Sequence, residues 1–219
     1  MNTMSRRAPV QPGEPAPDFN LAAVDQDGEL GLADYRGRPL FLAIFLGLWC
    51  PFCRRNIANL SMTRDELLAC GVETLAVVAT DLNNARLYFK YRPARVPIAA
   101  DPALMTHRAY GLPQPQLDDN TMQLLASTRI NPTGELPEPV PVTQIGPLLD
   151  DADNFKKTDV DAKDLDKQWP MMRAQFLVDH DGIVRWTNVE CATEGLAGIG
   201  KFPTTEEVLA ATKATGLAS

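Results

Sequence analysis

The sequence is poor in the residues from which metal sites are usually built. It has only two histidines and four cysteines in 219 residues. Cys50 and Cys53 form a Cys-x-x-Cys pair, and no second paired spacing joins the other candidates, Cys70, Cys191, His107 and His180. Because a zinc site normally needs four ligands, this distribution argues against zinc. We predict neither a metal nor another cofactor.

Positive charge and long apolar runs are also scarce. The net charge of -7 argues against nucleic acid or an anionic membrane surface as the main partner. The apolar run 40–48 is far shorter than the ~20 residues that a membrane span needs. Residues 1–12 carry Arg6 and Arg7 but no apolar stretch of signal-peptide length. We therefore expect a cytoplasmic, reducing location, where cysteines are more often catalytic than structural.

The Cys-x-x-Cys pair lies where a buried strand is predicted to meet a helix. The apolar run Leu40–Phe45 has the length and composition of a buried strand, and a turn containing Gly47 follows it. After Cys53 the apolar spacing becomes helical, and Gly71 is a C-terminal stop. One face of this helix carries Ile57, Leu60, Leu67 and Leu68, and the charged residues mostly lie off it: Arg54, Arg55, Arg64, Asp65 and Glu66.

This position favours redox chemistry at the pair. A thiol at a helix N-terminus faces unpaired N–H groups and the positive end of the helix dipole, which lowers its pKa. The second sulfur, one turn on, is close enough to attack a mixed disulfide or sulfenic acid on the first. Pro51 fits because the first turn needs no N–H donor. An inert structural disulfide is disfavoured, since so short a loop restrains little chain entropy.

The rest of the chain predicts one α/β domain spanning residues 1–219. With 45% hydrophobic residues the chain can bury a full core, and it shows no internal repeat. Strands and helices alternate after the pair, in the predicted order strand 72–79, helix 83–91, strand 96–100 and a helix ending at Gly111. A hairpin over 174–189 and a terminal helix over 204–213 complete the core.

Residues 113–170 interrupt this alternation. Seven prolines between residues 113 and 147 exclude most regular structure there, and the second half of the segment is rich in aspartate. We predict a long, proline-rich, acidic and irregular insertion, with short helices at 121–128 and 162–169. A long irregular segment in a compact domain is usually functional or mobile. The sequence leaves three roles open: a lid over the cysteines, a partner surface, or an addition without function.

The chain resembles the thioredoxin-like superfamily, and within it the redoxin branch, that of alkyl hydroperoxide reductase and thiol-specific antioxidant, which includes peroxiredoxins. The motifs that carry the resemblance are Gly13–Phe19, Trp49–Cys53, Asp101–Pro102 with Ala109–Gly111, and Phe176–Gly182. The resemblance implies a thioredoxin-like fold in which helices flank a central mixed sheet. It covers about residues 13–110 and 173–213.

The resemblance also implies site residues. Thioredoxins carry a cis-proline just before the strand that faces the redox pair, and Arg173 occupies that position here. Peroxiredoxins carry an arginine at the matching place, where a guanidinium favours the thiolate and orients peroxide. Trp49, Pro51 and Phe52 flank the pair, and we expect Trp49 to limit solvent access.

The pattern departs from both groups. Cys53 falls at the place of the peroxidatic cysteine, Cys50 at that of the family's threonine, and Leu46 at that of its proline, so which sulfur attacks first stays open. Ile44 stands where thioredoxins place a buried acid. Cys191 is a possible resolving thiol and Cys70 a small buried residue. Both histidines are expected to be structural or solvated.

Three functional hypotheses follow. The first is a peroxiredoxin-like peroxidase in which Cys50 and Cys53 cycle between dithiol and disulfide, Arg173 lowers the thiolate pKa, and a thioredoxin- or glutathione-type reductant restores the dithiol. The second is a disulfide reductase or redox relay, with exposed Cys50 as nucleophile and Cys53 as resolver. The third is a non-catalytic redox sensor. A homodimer is left open.

Overall fold

The protein, seen in a computed structural model that describes residues 8–218, is built around a β-sheet. Arg6, Arg7 and the rest of residues 1–7 lie outside the described residues, as does Ser219. The strands are β1 Asn20–Ala23, β2 Glu29–Gly31, β3 Leu40–Phe45, β4 Glu73–Val78, β5 Ile98–Ala100, β6 Arg129–Ile130, β7 Val140–Pro141, β8 Ala174–Val178 and β9 Val184–Val189. The helices are α1 Pro51–Ala69, α2 Leu82–Tyr91, α3 Met105–Ala109, α4 Asp119–Ser127, α5 Val142–Ala152, α6 Asp159–Gln168 and α7 Thr205–Ala214.

Seven of the strands in residues 8–218 form one mixed sheet in the order β2-β1-β5-β4-β3-β8-β9. β3 pairs in parallel with β4, and β4 with β5, because α1 and α2 carry the chain back across the sheet. β8 returns antiparallel to β3 and pairs with β9. The predicted α/β class and central mixed sheet flanked by helices are confirmed. The hairpin predicted over 174–189 corresponds to β8 and β9.

β3 lies at the centre of the core. All six of its residues are buried, and successive side chains enter opposite faces of the sheet as the period of two requires. Phe41 and Phe45 belong to the apolar cluster that contains α1, while Leu42 and Ile44 belong to the cluster on the other face. Burial on both faces fixes the end of β3, and with it the turn that carries the cysteines.

The ends of α1 follow from the sequence as predicted. Cys50 is the N-cap, with an extended backbone, and Pro51 occupies the first turn. At the other end Gly71 adopts a left-handed φ of 76°, which an L side chain rarely adopts. In α7, which corresponds to the helix predicted over 204–213, Thr204 and Glu207 form a capping box.

The prediction that residues 113–170 are irregular is wrong. They contain three helices, α4, α5 and α6, and the small β6–β7 sheet. The predicted short helices correspond to α4 and α6, whereas α5 was not predicted and includes Pro147. Its residues Val142, Ile145 and Leu149 are buried at helical spacing, and their burial outweighs the hydrogen bond that proline removes. That this segment is an insertion stays a prediction.

Across the described residues, none of the helices combines the length and apolar character that crossing a membrane requires.

His107 on α3 is buried at 1% exposure, and neither ring nitrogen has a hydrogen-bond partner among the described residues. Burial lowers the pKa of His107 to about 4, with a partial opposing effect from Asp101. His107 is therefore harder to protonate in the folded state than in the unfolded chain. The contribution of His107 to the free energy of unfolding is highest at pH values where the imidazole is neutral in both states.

We therefore expect stability to fall as the pH falls from about 6.5 towards 4, the interval in which the unfolded chain binds a proton that folded His107 does not. Between about pH 7 and about pH 4.5 this loss amounts to about 2 kcal/mol. The His107→Phe variant should lose that much less stability than wild type, measured by urea unfolding at both pH values. Replacement of the exposed His180 should leave the wild-type pH dependence unchanged; an equal loss in His107→Phe would contradict the assignment.

Candidate active site

Cys50 and Cys53 face each other across the first turn of α1. The Cys50 Sγ accepts a hydrogen bond from the Cys53 backbone N–H at 3.3 Å and from the Cys53 thiol at a sulfur–sulfur distance of 2.8 Å. The two sulfurs are not bonded to each other. Both side chains are buried, with Cys50 4% exposed and Cys53 fully covered. The expectation of an exposed Cys50 is therefore wrong for this conformation.

The surroundings shift the pKa values of the two thiols in opposite directions. Burial alone raises the pKa of Cys50, but the hydrogen bond from the Cys53 thiol, the charge of Arg173 and the Cys53 backbone N–H together bring that pKa below its ordinary value. Burial, the hydrogen bond to Cys50 and the Cys50 charge all raise the pKa of Cys53 well above its ordinary value. The geometry thus makes Cys50 the more acidic thiol of the pair and Cys53 the one that is harder to deprotonate.

Arg173 lies directly before β8, where the sequence register placed it. Its side chain is 2% exposed and forms an ion pair with Glu190, which follows the end of β9. Its guanidinium carbon lies 5.7 Å from the centre of the Phe52 ring. The structure therefore brings Arg173 and Phe52 to the Cys-x-x-Cys pair, as predicted from sequence.

An apolar cavity of about 110 Å³ gives access to Cys50 but not to Cys53. Trp49, Pro51, Phe52 and Arg173 line one side, together with Leu46. The other side is formed by residues of the 113–170 segment, among them Leu117, Leu125, Val142, Ile145 and Trp169. The sequence left three roles open for this segment: a lid, a partner surface, or an addition without function. Its contacts with the cavity are those of a lid, and we call residues 113–170 the cover of Cys50.

Trp49 is held in place by Gln168, the last residue of α6. The Gln168 Oε1 accepts hydrogen bonds from the Trp49 ring N–H at 2.8 Å and from the Gly47 backbone N–H at 2.7 Å. Its amide nitrogen donates to the Ala79 carbonyl at 2.5 Å. Trp49 is 7% exposed and also contacts Trp169 edge to face. One buried amide therefore ties the turn before the cysteines to β4 and to the cover.

Arg54, the residue after Cys53, anchors the cover to the redox helix. It was predicted to lie off the buried face of α1, but its side chain is 2% exposed. It donates to the Leu48 carbonyl at 2.7 Å and to Asp150 of α5 at 2.8 Å, and its guanidinium lies 3.7 Å from the centre of the Phe155 ring. Lys157 pairs with the second oxygen of Asp150.

The remaining cysteines, Cys70 and Cys191, lie outside the first turn of α1, which carries the pair. Cys191 has a left-handed φ of 66°, and burial followed by the charge of Glu190 raises the pKa of its thiol to about 12. So high a pKa disfavours Cys191 as an attacking thiolate at neutral pH. Cys70 is half-buried and caps the C-terminus of α1. Ile44, where thioredoxins place an acid, is fully buried in the cluster on the opposite face.

Sequence reasoning missed Glu190 and Gln168. Glu190 is the carboxylate whose charge acts on both thiols. A single acid after a strand and a single amide in a polar helix carry no motif, so their partners become visible only in three dimensions. Within residues 8–218 no group of three or more histidine, cysteine, aspartate or glutamate side chains is placed to hold a metal ion.

The fold and the buried dithiol define a thiol oxidoreductase of thioredoxin-like architecture. The chain belongs to the AhpC/TSA family, whose model matches residues 12–187. The resemblance predicted from the motifs is confirmed. Comparison with curated proteins gave no match.

Solved structures show the same fold at low identity. A protein described as the thiol:disulfide interchange protein DsbE from Chlorobium tepidum matches with a TM-score of 0.56 and 19% identity, covering 95% of this chain and 99% of that one. The reduced 2-Cys peroxiredoxin of Plasmodium vivax matches with a TM-score of 0.57 and 17% identity, covering 93% and 95%. Peroxidoxin BcpB from Mycobacterium tuberculosis matches with a TM-score of 0.56 and 12% identity, covering 94% and 97%.

The anchor between Arg54 and Asp150 yields a stability prediction. Asp150→Asn removes the nearer of the two carboxylates that pair with the buried Arg54 guanidinium and leaves Asp153 at 3.2 Å. We expect the free energy of unfolding to fall by about 1–3 kcal/mol. Asp151→Asn changes the same charge at an exposed neighbouring site, where we expect a change within about 0.5 kcal/mol. Urea unfolding of both variants checks this; equal losses would show that the anchor contributes no specific stabilisation.

Proposed function

We propose that the protein is a peroxidase that reduces small hydroperoxides, with Cys50 as the attacking thiolate and Cys53 as the resolving thiol. The observation that carries the proposal is the enclosure of Cys50: it opens on an apolar cavity of about 110 Å³, beside a buried arginine and 2.8 Å from the second sulfur. A cavity of this size admits a small molecule, whereas a protein disulfide needs the cover to move first.

The proposed cycle has three steps: oxidation of Cys50, formation of the Cys50–Cys53 disulfide, and reduction of that disulfide. The Cys50 thiolate attacks the terminal oxygen of the hydroperoxide, the O–O bond breaks, and the departing alkoxide takes a proton to leave as an alcohol or water. Cys53 then attacks the Cys50 sulfenic acid, which forms the Cys50–Cys53 disulfide and releases water. A thioredoxin-type dithiol, or a pair of glutathione-type thiols, then reduces this disulfide to the Cys50–Cys53 dithiol and is itself oxidised to a disulfide. We propose the cytoplasm as the compartment that supplies this reductant.

Arg173 has two tasks in this proposal. Its charge lowers the pKa of Cys50, so that more of the reactive thiolate is present at neutral pH. Arg173 lines the cavity, and its buried Nη1 has no hydrogen-bond partner among the described residues, which suits a hydrogen bond to peroxide oxygen as negative charge develops there. The covered site keeps water away from both interactions, which strengthens them.

Disulfide interchange is the second candidate, and the order of the two thiols supports it. A low-pKa cysteine at a helix N-cap, followed by a buried cysteine that retains its proton, is also the arrangement that thiol–disulfide exchange requires. In this candidate the 113–170 segment moves aside to admit the partner, so that the exposed apolar residues of that segment, such as Leu117 and Met122, become contact surface.

The deciding experiment is stopped-flow oxidation of the reduced protein by hydrogen peroxide. We expect fast oxidation of wild type and Cys53→Ser, with a trapped sulfenic acid on Cys50 in the latter, and a loss of at least about a thousandfold in Cys50→Ser because the nucleophile is removed. Cys70→Ser is the matched control and should react like wild type.

Two results would contradict the proposal. Oxidation of wild type at the rate of an ordinary thiol, together with turnover of insulin disulfides, would favour disulfide interchange. Sulfenic acid on Cys53 in the Cys50→Ser variant, formed at the wild-type rate, would reverse the order of the two sulfurs.

A further inference from the structure

Glu190 and Arg173 continue the β8–β9 pairing by one position. Ala174 lies opposite Val189, and the Glu190 N–H donates to the Arg173 carbonyl at 3.0 Å. The Glu190 carboxylate accepts hydrogen bonds from the Arg173 backbone N–H at 3.2 Å, from Nε at 3.1 Å and from Nη2. Both side chains are almost fully buried, with exposures of 2% for Arg173 and 7% for Glu190.

This pairing leaves one guanidinium nitrogen of Arg173 without a hydrogen-bond partner within residues 8–218. Nε and Nη2 are occupied by the carboxylate, whereas Nη1 is buried and has no hydrogen-bond partner among the described residues. Because a guanidinium is planar and rigid, a carboxylate that fixes one edge also fixes where Nη1 lies. Arg173, Glu190 and Cys50 line the same cavity.

We propose that Glu190 is a positioning residue for the peroxide reaction: it holds Arg173 so that Nη1 remains available to the oxygen atoms that react at Cys50. The inference rests on the proposed peroxidase function. It assigns Glu190 no contact with the substrate.

The charge of Glu190 changes the Cys50 pKa in the direction opposite to that of a residue that activates the thiol. The charged groups acting on Cys50 are Arg173 and Glu190, while Cys53 acts through its hydrogen bonds. The carboxylate of Glu190 raises the Cys50 pKa, in opposition to Arg173. Cys191 adjoins Glu190, and the nearby Glu194 and Lys201 pair with each other. Since Glu190 disfavours the thiolate, activation of the thiol does not account for a benefit to the reaction, whereas orientation of the guanidinium does.

A structural alternative exists, because Glu190 also accepts a hydrogen bond from the Gly200 N–H at 2.8 Å. Gly200 packs against Phe52, and a Cβ there would lie 2.7 Å from the Phe52 ring. Loss of this loop contact would disturb every reaction of Cys50. Loss of Arg173 orientation would disturb only reactions in which the guanidinium contacts the electrophile.

The test compares two electrophiles on Glu190→Gln, which is isosteric but uncharged. Second-order rate constants of Cys50 with hydrogen peroxide and with iodoacetamide are measured across pH, up to the plateau where Cys50 is fully ionised. We expect the peroxide plateau to fall at least about tenfold, the loss of one charge-assisted hydrogen bond. The iodoacetamide plateau should stay within about twofold, because alkylation needs only the thiolate. Its midpoint should move to lower pH.

Two further variants complete the design. Glu190→Asp keeps the charge and should recover part of the peroxide rate, while Glu194→Gln removes a carboxylate of the same loop and should behave like wild type. A parallel fall of both plateaus in Glu190→Gln, or no fall in either, would overturn the positioning role and leave the peroxidase intact. Slow peroxide reaction of wild type itself would overturn the proposed function and this inference with it.

Discussion

The buried charge of Arg173 is the interaction on which the site depends. A guanidinium at 2% exposure has lost most of its hydration, and such a charge is tolerated only when other charges and hydrogen bonds replace the water. Glu190 supplies a negative charge through its ion pair with Arg173, and the Cys50 thiolate supplies a second one whenever it forms. The thiolate and the arginine are therefore stabilised by a common arrangement, in which Glu190 balances the charge and Cys50 is the nucleophile of the proposed function.

The 113–170 segment makes this arrangement effective by covering it. Gln168 fixes Trp49 and the turn before Cys50, and Asp150 is tied to Arg54, one residue after Cys53. The cover is thus anchored on both sides of the Cys-x-x-Cys pair. Exclusion of water strengthens the attraction between the thiolate and Arg173, and it also limits which molecules reach the sulfur. The same segment therefore bears on both the reactivity and the selectivity of Cys50.

The sequence predicted the strand, the turn and the helix that carry the Cys-x-x-Cys pair because the signals for these elements come from neighbouring residues. The buried run of β3, the proline after Cys50 and the glycine after Cys70 define the strand, the cap and the stop, and the hairpin register placed Arg173 opposite the pair. Arg54 was misjudged because its partner Asp150 lies 96 residues away, and an arginine on a helix is usually solvated. The helix α5 was missed because Pro147 suggests a break, although the spacing of Val142, Ile145 and Leu149 already carried the helical signal. Glu190 had no local signature at all.

The most direct test of this account is a titration of the four cysteines by NMR, with carbon-13 at Cβ, in the reduced wild-type protein and in Arg173→Gln. The account predicts that Cys50 ionises first, below the ordinary thiol value of about 8.5, and that Cys53 ionises last of the pair. Arg173→Gln should raise the pKa of Cys50. If Cys53 ionises before Cys50, or if the Cys50 pKa is unchanged in Arg173→Gln, the charge arrangement described for this site is wrong.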